Sequence, residues 1–336
     1  MADTLRVEAS LDSIPIIDLV PLFEGRPEAI GHQIRDASRD YGFFFIRNHG
    51  VGQDVVDGVF AAAESFFSQP DADKLKLKID GNNIGFMPFK GSTLRTETLN
   101  NNTKPNLNES YFIMRERDPA DPDVVAKKPF RGLNKWPDNL PSFRDSLLGY
   151  TGVMEALAKR LVEGFAAAFG VSMDYFRTPF ADPQISLRLA HYPDQKIVGN
   201  NEFGIAPHTD FGFMTILAPT KVPGLEIRPK GKDWIRAPVL PDCFLVNTGD
   251  LLQRWTNDVF ISTPHRVTNN TGKERYSIPF FFSPNSEYVV DTMDVFISEQ
   301  GPKKYEPITY AELYGRAIRK NYDHLNDNKG VRVDVA

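Results

Sequence analysis

The chain contains 336 residues, of which 41% are hydrophobic and 25% are charged, a balance typical of globular proteins and unlike that of disordered or fibrous ones. Its formal net charge of −5 gives no general attraction for phosphate backbones or anionic lipid, so neither a nucleic-acid nor a membrane partner is expected. The single cysteine, Cys243, cannot form an internal disulfide, and the sequence shows no apolar run long enough for a signal peptide or a transmembrane helix. We therefore expect a protein of the reducing cytoplasm, and we expect it to be a monomer or at most a weak dimer.

Strands and helices alternate in the N-terminal part of the chain. Residues 14–19 are predicted to form a short apolar strand, and residues 28–41 carry apolar side chains at helical spacing. The continuous apolar run at residues 43–46 is typical of a strand that is buried on both faces. A second helix is predicted over residues 53–68, and Pro70 ends it.

The middle of the chain combines a long irregular stretch with a long helix. Residues 81–138 are polar and rich in asparagine and proline, and only residues 110–114 are typical of a strand. Loops of this length are usually functional or disordered. Over residues 142–169 apolar positions recur every three or four residues, and Gly170 follows, which predicts an amphipathic helix that ends at a glycine.

Beyond residue 185 the hydrophobic period changes to that of short strands broken by proline and glycine. Many short strands joined by turns indicate a sandwich or barrel, so we expect a mainly β fold with flanking α helices. A closing helix is predicted from Thr309, where Glu312 completes a capping box. The predicted strands are residues 186–191, 213–217, 224–228, 234–237, 243–248, 265–268 and 277–282.

Two of the six histidines lie in settings that suit a metal ion. His208 and Asp210 are two positions apart, and on an extended strand such residues point to the same side, so an imidazole and a carboxylate can bind one ion. His265 lies in a later β segment that can face the first across a barrel. Two imidazoles and one carboxylate occupy one face of an octahedron and leave three positions open, as an iron(II) oxygenase requires.

The sequence around these residues is more specific than the residues themselves, because a His-x-Asp triplet on a surface strand is usually only solvated. The segments HTDFGFMTIL, NTGDLLQRWTND, STPHRVTN and RYSIPFFF follow one another in this order. In the second segment, Gly249 is predicted to adopt a positive φ in a tight turn, and Asp250 is predicted to accept backbone hydrogen bonds there.

With these segments in this order, the chain resembles the 2-oxoglutarate- and iron(II)-dependent dioxygenases of the isopenicillin N synthase-like group. The segments IPIIDL and GFFFIRNHGV and the helices up to residue 68 are similar to the N-terminal module of that group, and residues 185–284 are similar to its catalytic part. The resemblance implies a distorted double-stranded β-helix, or jelly roll, in which His208, Asp210 and His265 bind Fe(II). It also implies 2-oxoglutarate and O₂ as co-substrates.

The resemblance further implies a division of the chain into four parts. Residues 1–125 would form the N-terminal dioxygenase module with an active-site loop, and residues 126–181 the connecting helices. Residues 182–290 would form the catalytic jelly-roll core, and residues 291–336 a C-terminal helix and tail.

Three residues are implied as ligands of 2-oxoglutarate. Arg275 and Ser277 match the Arg-x-Ser pair of the family, and residues two apart on a strand share a face, so a guanidinium and a hydroxyl can bind the distal carboxylate together. Tyr192 matches a tyrosine that hydrogen-bonds the co-substrate near the metal end. Many plant members have asparagine two positions before this tyrosine, where this chain has Ala190, a departure that bears on one hydrogen bond at the metal side.

The implied reaction is the oxidation of a small-molecule substrate by hydroxylation, desaturation or ring closure, with conversion of 2-oxoglutarate to succinate and CO₂. The region of residues 81–118 resembles the segment that covers the active site in relatives. Phe86, Arg95 and Phe112 from that segment, and Phe282 from the barrel end, are therefore predicted to line the substrate pocket.

The sequence leaves three alternatives open. An oxidase of the isopenicillin N synthase type uses the same iron site without 2-oxoglutarate, and its Arg-x-Ser pair binds a substrate carboxylate instead. A jelly-roll hydrolase or isomerase can hold zinc in a similar set of two histidines and an aspartate. A binding module without catalysis is the third alternative, and it gives no reason for three metal ligands followed by Arg275 and Ser277.

Overall fold

Helices packed against β-sheets make up the computed structural model, which describes residues 14–94, 104–195, 199 and 201–321. The helices are α1 (Val20–Phe23), α2 (Glu28–Asp40), α3 (Gln53–Phe67), α4 (Asp71–Lys74), α5 (Pro122–Val125), α6 (Phe143–Phe169), α7 (Asp174–Arg177), α8 (Asp250–Trp255), α9 (Asp294–Gln300) and α10 (Tyr310–Asn321), with a 3₁₀ helix at Leu75–Leu77. The strands are β1 (Ile16–Asp18), β2 (Phe43–Arg47), β3 (Gly85–Met87), β4 (Glu109–Met114), β5 (Gln184–Tyr192), β6 (Ile205–His208), β7 (Met214–Leu217), β8 (Leu225–Ile227), β9 (Ile235–Arg236), β10 (Phe244–Thr248), β11 (His265–Val267), β12 (Arg275–Ser277), β13 (Pro279–Ser283), β14 (Val289–Val290) and β15 (Ile308–Thr309).

A nine-stranded major sheet and a four-stranded minor sheet form the centre of the fold. The major sheet has the order β1-β2-β10-β7-β13-β5-β4-β3, and β12 pairs with β5 beside β13. The minor sheet has the order β6-β11-β8-β9. Residues of both sheets line one cavity between them, which is the arrangement of a distorted jelly roll whose sheets do not close into a barrel. The predicted mainly β fold with flanking helices is confirmed.

Strands from the N-terminal part of the chain extend the major sheet at both edges. The strand β2 pairs with β10 at one edge, and β4 pairs with β5 at the other. Side chains alternate along β2, so Phe43 and Phe45 belong to the cluster beside the cavity while Phe44 and Ile46 belong to the larger core. Both faces of β2 are therefore covered, which explains its continuous apolar run and confirms the predicted buried strand.

The long helix α6 packs against α2 and α3 outside the major sheet. Its approach to α2 is close, because a Cβ added to Gly31 would lie 2.9 Å from the backbone of α6. Gly170 ends α6 in the left-handed conformation with φ 71°, where glycine is favoured because it has no Cβ. The helix predicted over residues 142–169 is confirmed to within one residue.

Other predicted elements differ in detail from the structure. The region expected to be irregular contains β3, which pairs with β4. The strand predicted over residues 277–282 is divided into β12 and β13, because Pro279 has no N–H to donate to a continuous ladder. The capping box is confirmed, since Thr309 N donates to Glu312 Oε2 at 2.9 Å and Glu312 N donates to Thr309 Oγ1 at 3.1 Å. Among the described residues, none of the helices has both the length and the apolar character needed to span a membrane.

Candidate active site

His208 and His265 lie opposite each other on neighbouring strands of the minor sheet. The register between β6 and β11 pairs the two residues, and their ring centroids are 4.2 Å apart. Each Nδ1 hydrogen-bonds a backbone carbonyl two residues earlier, that of Ala206 at 2.9 Å for His208 and that of Thr263 at 3.1 Å for His265. A carbonyl oxygen can only accept, so Nδ1 carries the proton in both rings, and each Nε2 keeps a lone pair for a metal ion.

Asp210 completes the set from the turn that follows β6. The sequence predicted an extended strand through Asp210, but β6 ends at His208. The carboxylate Oδ1 lies 3.9 Å from Nε2 of His208 and 3.7 Å from Nε2 of His265. Its other oxygen, Oδ2, accepts hydrogen bonds from Thr215 Oγ1 at 2.5 Å and from Asn247 Nδ2 at 2.8 Å. These two bonds fix the carboxylate with Oδ1 turned toward the imidazoles.

The electrostatics of this cluster favour the protonation states that a metal ion needs. The donor atoms of the three residues all lie within 4.8 Å of one another. Burial and the neighbouring imidazole of His265 lower the pKa of His208, so its ring is neutral near pH 7. Burial opposes ionisation of Asp210, yet the two imidazoles and its two hydrogen bonds lower its pKa below the usual value. A neutral imidazole and an ionised carboxylate are the forms that coordinate metals.

Gly249 and Asp250 support the loop that carries Asp210. The backbone N–H of Asp250 donates to the carbonyl of Asp210 at 2.7 Å. Gly249 has φ −113°, so the predicted positive φ is wrong. Glycine is required for another reason, because a Cβ at this position would lie 2.3 Å from the carbonyl oxygen of Gly212. The side chain of Asp250 accepts a hydrogen bond from the hydroxyl of Thr209 at 3.2 Å.

Arg275 is buried in the same cavity, with 1% of its surface exposed. Its Nε donates to the carbonyl of Val222 at 3.2 Å, whereas Nη1 is buried and has no hydrogen-bond partner. In the described part of the chain, no carboxylate forms an ion pair with this guanidinium. A buried guanidinium without an anion is energetically costly, so this position suits a carboxylate that a ligand supplies.

The distance between Arg275 and the metal ligands follows from the minor sheet. Arg275 lies close to Thr268, the residue after β11, because both approach Gly224. A Cβ added to Gly224 would lie 2.7 Å from the carbonyl oxygen of Thr268 and 3.2 Å from Cδ of Arg275. Thr268 is three residues beyond His265, which corresponds to roughly 10 Å along an extended chain. The guanidinium and the histidines are therefore at different ends of one cavity.

Ser277 and Tyr192 line the cavity beside Arg275. The register between β12 and β5 pairs Arg275 with Tyr192 and Ser277 with Ala190. The guanidinium carbon lies 5.0 Å from the centroid of the Tyr192 ring. Tyr192 thus lies at the guanidinium end of the cavity, and the prediction that placed it near the metal end is corrected. Ala190 provides no polar side-chain atom.

Of the four residues predicted to line the substrate pocket, the structure brings Phe112 to the cavity. Phe86 is buried in the hydrophobic core, and Phe282 stacks on Phe180 in the core with a centroid distance of 5.2 Å. Both predictions are therefore corrected. Each side chain points away from the cavity because of the alternation along its strand. Arg95 lies outside the described residues.

Several cavity residues had not been predicted from the sequence. Phe281 faces the cavity, whereas the predicted Phe282 does not. The strand pairing places Phe281 opposite Ser186 and Thr215, which also line the cavity. Arg188 lines the cavity as well. The sequence could have indicated this residue, because Arg188 lies four positions before Tyr192 and so shares its face of β5. The helix α10 adds Tyr310 and Tyr314 to the cavity, and no pattern in the sequence indicated this placement.

Comparisons with known proteins agree with this geometry. The sequence profile of the 2OG-Fe(II) oxygenase superfamily matches residues 184–284, and the profile described as non-haem dioxygenase in morphine synthesis N-terminal matches residues 14–139. The 2-oxoglutarate-Fe(II) type oxidoreductase hxnY of Emericella nidulans is 31% identical over 342 residues, which span 96% of each chain. The chain belongs to the 2OG-Fe(II) oxygenase superfamily.

Solved structures with bound 2-oxoglutarate share the fold. A full-length Neurospora crassa protein in complex with alpha-KG is 26% identical, with a TM-score of 0.79, and the match covers 92% of this chain and 98% of the Neurospora protein. A second complex of that protein contains alpha-KG and thymine. JOX2 in complex with 2OG, Fe and JA is 28% identical, with a TM-score of 0.74 and coverage of 94% of this chain and 88% of JOX2.

This 2OG-Fe(II) oxygenase uses Fe(II), 2-oxoglutarate and O₂, and the comparisons favour this function over an oxidase that works without 2-oxoglutarate. Two structural observations fit these cofactors. The set of two Nε2 lone pairs and one carboxylate oxygen is the one that non-haem Fe(II) oxygenases use. The unpartnered Nη1 of Arg275 offers the donor that a carboxylate of 2-oxoglutarate needs.

Proposed function

We propose that His208, Asp210 and His265 bind Fe(II) in this oxygenase, and that Arg275 and Ser277 bind the distal carboxylate of 2-oxoglutarate. One observation carries the proposal. Three metal-donor atoms converge within 4.8 Å in a cavity that also contains a buried guanidinium without an anionic partner among the described residues. The distance between these two ends suits a short dicarboxylate that bridges them.

Iron bound at this position, with 2-oxoglutarate and O₂, supplies the oxidation of an unactivated C–H bond, while 2-oxoglutarate leaves as succinate and CO₂. The protein supplies orientation. Thr215 and Asn247 hold Asp210 in place, and Tyr192 packs on the guanidinium that receives the co-substrate. Apolar residues such as Leu217 also line the cavity, and an apolar lining disfavours water beside the reacting groups.

We propose that the substrate is a small organic molecule and that it is hydroxylated, desaturated or cyclised. Phe112 and Phe281 are proposed to contact it, because both line the cavity that contains the metal ligands. The relatives support a small substrate, since the Neurospora crassa protein was crystallised with thymine and JOX2 with JA.

The decisive experiment measures succinate from purified protein supplied with Fe(II), 2-oxoglutarate and O₂. We expect succinate formation to require both Fe(II) and 2-oxoglutarate, and His208→Ala to abolish it. Anaerobic calorimetry should also detect 2-oxoglutarate binding to the metal-loaded protein. His32→Ala is a matched control, because His32 is an exposed histidine of α2 outside the cavity, and this variant should retain wild-type activity. Undiminished turnover after exhaustive iron removal, or full activity of His208→Ala, would contradict the proposal.

We also propose that the chain follows the organisation of the isopenicillin N synthase-like group. The profile matches at residues 14–139 and 184–284 support an N-terminal module (1–125), connecting helices (126–181), a catalytic core (182–290) and a C-terminal helix and tail (291–336). We propose a location in the cytoplasm, which the single cysteine supports because a chain without an internal disulfide suits a reducing compartment, and a monomer or weak dimer in solution. Light scattering of the purified protein and fractionation of cells test these two points.

A further inference from the structure

Arg188 presents a second guanidinium to the cavity, at a place separate from Arg275. It lies on β5 four residues before Tyr192, which pairs with Arg275, so the two arginines face the same cavity roughly 13 Å apart along the strand direction. The register pairs Phe112 of β4 with Arg188, on the side of β5 away from β12. Arg188 therefore lies where β5 adjoins β4, away from the end of the cavity at which Arg275 is proposed to bind 2-oxoglutarate.

Neighbouring residues hold the guanidinium of Arg188 in place without neutralising it. Its Nε donates to Ser110 Oγ at 2.9 Å and its Nη2 donates to Asn108 Oδ1 at 3.0 Å. The guanidinium carbon lies 5.3 Å from the centroid of the Phe112 ring. Within the described residues, Arg188 forms no ion pair with a carboxylate. These contacts fix the orientation of the guanidinium and place no negatively charged side chain of the described residues beside it.

The charges that the described residues bring to the cavity leave Arg188 without a negative partner. Asp210 is the one carboxylate among the described lining residues, and the two histidines of the cluster bind metal as neutral rings. In the loaded site, Fe(II) and Arg275 contribute three positive charges, and Asp210 and 2-oxoglutarate contribute three negative ones. The positive charge of Arg188 therefore has no negative partner among the described residues: Ser110 and Asn108 accept hydrogen bonds from its guanidinium but are uncharged, so the position suits an anion that a ligand supplies.

The walls near Arg188 are aromatic. Phe112 lies beneath the guanidinium, and Phe211, Phe281 and Tyr314 line the same cavity. Aromatic side chains contact flat or ring-shaped ligands over a large apolar area. The cavity therefore combines one anchor for an anion with surfaces suited to a ring.

From these observations we infer that Arg188 binds the carboxylate of the organic substrate, and that this oxygenase acts on a small ring-containing monocarboxylate. The inference rests on the proposed function, since it needs Fe(II) and 2-oxoglutarate at their own positions. It assigns to Arg188 a role different from that of Arg275, which the co-substrate occupies. A fork of two guanidinium N–H groups pairs with a carboxylate more strongly than with a neutral amide.

The test compares ring-containing monocarboxylates with their own carboxamides. Benzoate, phenylacetate, cinnamate, naphthylacetate and cyclohexylacetate, each with its carboxamide, are titrated anaerobically into protein loaded with Fe(II) and 2-oxoglutarate, and binding is measured by calorimetry. We expect at least one acid to bind at least tenfold more tightly than its amide. In Arg188→Gln this ratio should fall to about one, while Arg188→Lys should retain part of it. Arg144→Gln removes an exposed arginine outside the cavity and should leave the ratio unchanged.

The readouts separate a binding role from a structural one. If Arg188→Gln binds 2-oxoglutarate within threefold of wild type and unfolds at the same temperature, a loss of acid preference comes from the missing guanidinium. Acids that bind no better than amides, no binding by any acid, or a preference that survives in Arg188→Gln would each overturn the inference. A wild-type protein that does not bind 2-oxoglutarate would instead overturn the proposed function, so the two failures are distinguishable.

Discussion

Thr215 donates a hydrogen bond of 2.5 Å from its hydroxyl to Oδ2 of Asp210. Asn247 donates to the same oxygen, and the register between β7 and β10 pairs Thr215 with Asn247. Two neighbouring strands of the major sheet, β7 and β10, therefore orient the carboxylate of Asp210, which lies in the turn that follows β6 of the minor sheet. The two sheets are connected at the candidate metal centre, which fixes the position of Asp210 better than the turn alone.

Replacing Thr215 by valine should weaken Fe(II) binding, because valine keeps the shape of the side chain and removes the hydroxyl. Loss of such a hydrogen bond to a metal ligand typically lowers metal affinity on the order of 10- to 100-fold. Competition with a chromophoric Fe(II) chelator measures the change. Thr151→Val is the matched control, because Thr151 is also buried but bonds to Leu147 within α6. Equal affinities of Thr215→Val and wild type would refute the role of Thr215.

Replacing Arg275 by glutamine should weaken 2-oxoglutarate binding selectively. A hydrogen bond to a charged group contributes about 1.5 to 3 kcal/mol, so we expect the dissociation constant for 2-oxoglutarate to rise on the order of 10- to 150-fold. The affinity for Fe(II) should change little, since Arg275 lies at the other end of the cavity from the metal ligands. Calorimetry with each ligand tests both points, and a variant that loses Fe(II) affinity equally would indicate a general structural defect.

Replacing Gly249 by alanine should damage the metal loop. The new Cβ would lie 2.3 Å from the carbonyl oxygen of Gly212 and 2.9 Å from that of Asp210, so the loop must shift. Overpacking of this kind typically costs about 1 to 3 kcal/mol of unfolding free energy, and Fe(II) affinity should fall with it. Gly149→Ala is the matched control, because a Cβ at Gly149 in α6 meets no atom within 4 Å. Denaturant unfolding should show this control to be as stable as wild type, or more stable by up to about 1 kcal/mol.

The stability of the metal-free protein should depend on pH through Asp250. Burial raises the pKa of Asp250 to about 6, against the hydrogen bonds from Ser262 and Thr209. Between about pH 4 and pH 6 the folded protein retains a proton that the unfolded chain has released, so stability falls as pH rises through this window. Relative to Asp250→Asn, wild type should lose on the order of 2 to 3 kcal/mol from pH 4 to pH 7. Denaturant unfolding of both proteins across this range measures the difference, and a difference that is flat or rises with pH would contradict the assignment.

Local features of the candidate site were predictable because they depend on residues close in sequence. The spacing of His208 and Asp210, the helix over residues 142–169 and the capping box at Thr309 all follow from short patterns. Where a prediction missed, the deciding partner was distant. Gly249 was assigned to a positive φ, whereas its requirement for glycine comes from the backbone carbonyl of Gly212 in the loop between β6 and β7.

Sequence alone determined which chemistry the chain carries: two imidazoles, a carboxylate, a guanidinium and a hydroxyl in an order typical of one family of oxygenases. Tertiary structure alone decided which neighbouring side chains meet that chemistry. Phe281 faces the cavity and Phe282 the core because the pairing of β13 with β5 and β7 sets the alternation, and a shift of one residue would exchange them. That Arg188 shares a face with Tyr192 follows from the alternation along β5, but only the packing of the two sheets decided that this face lines the cavity.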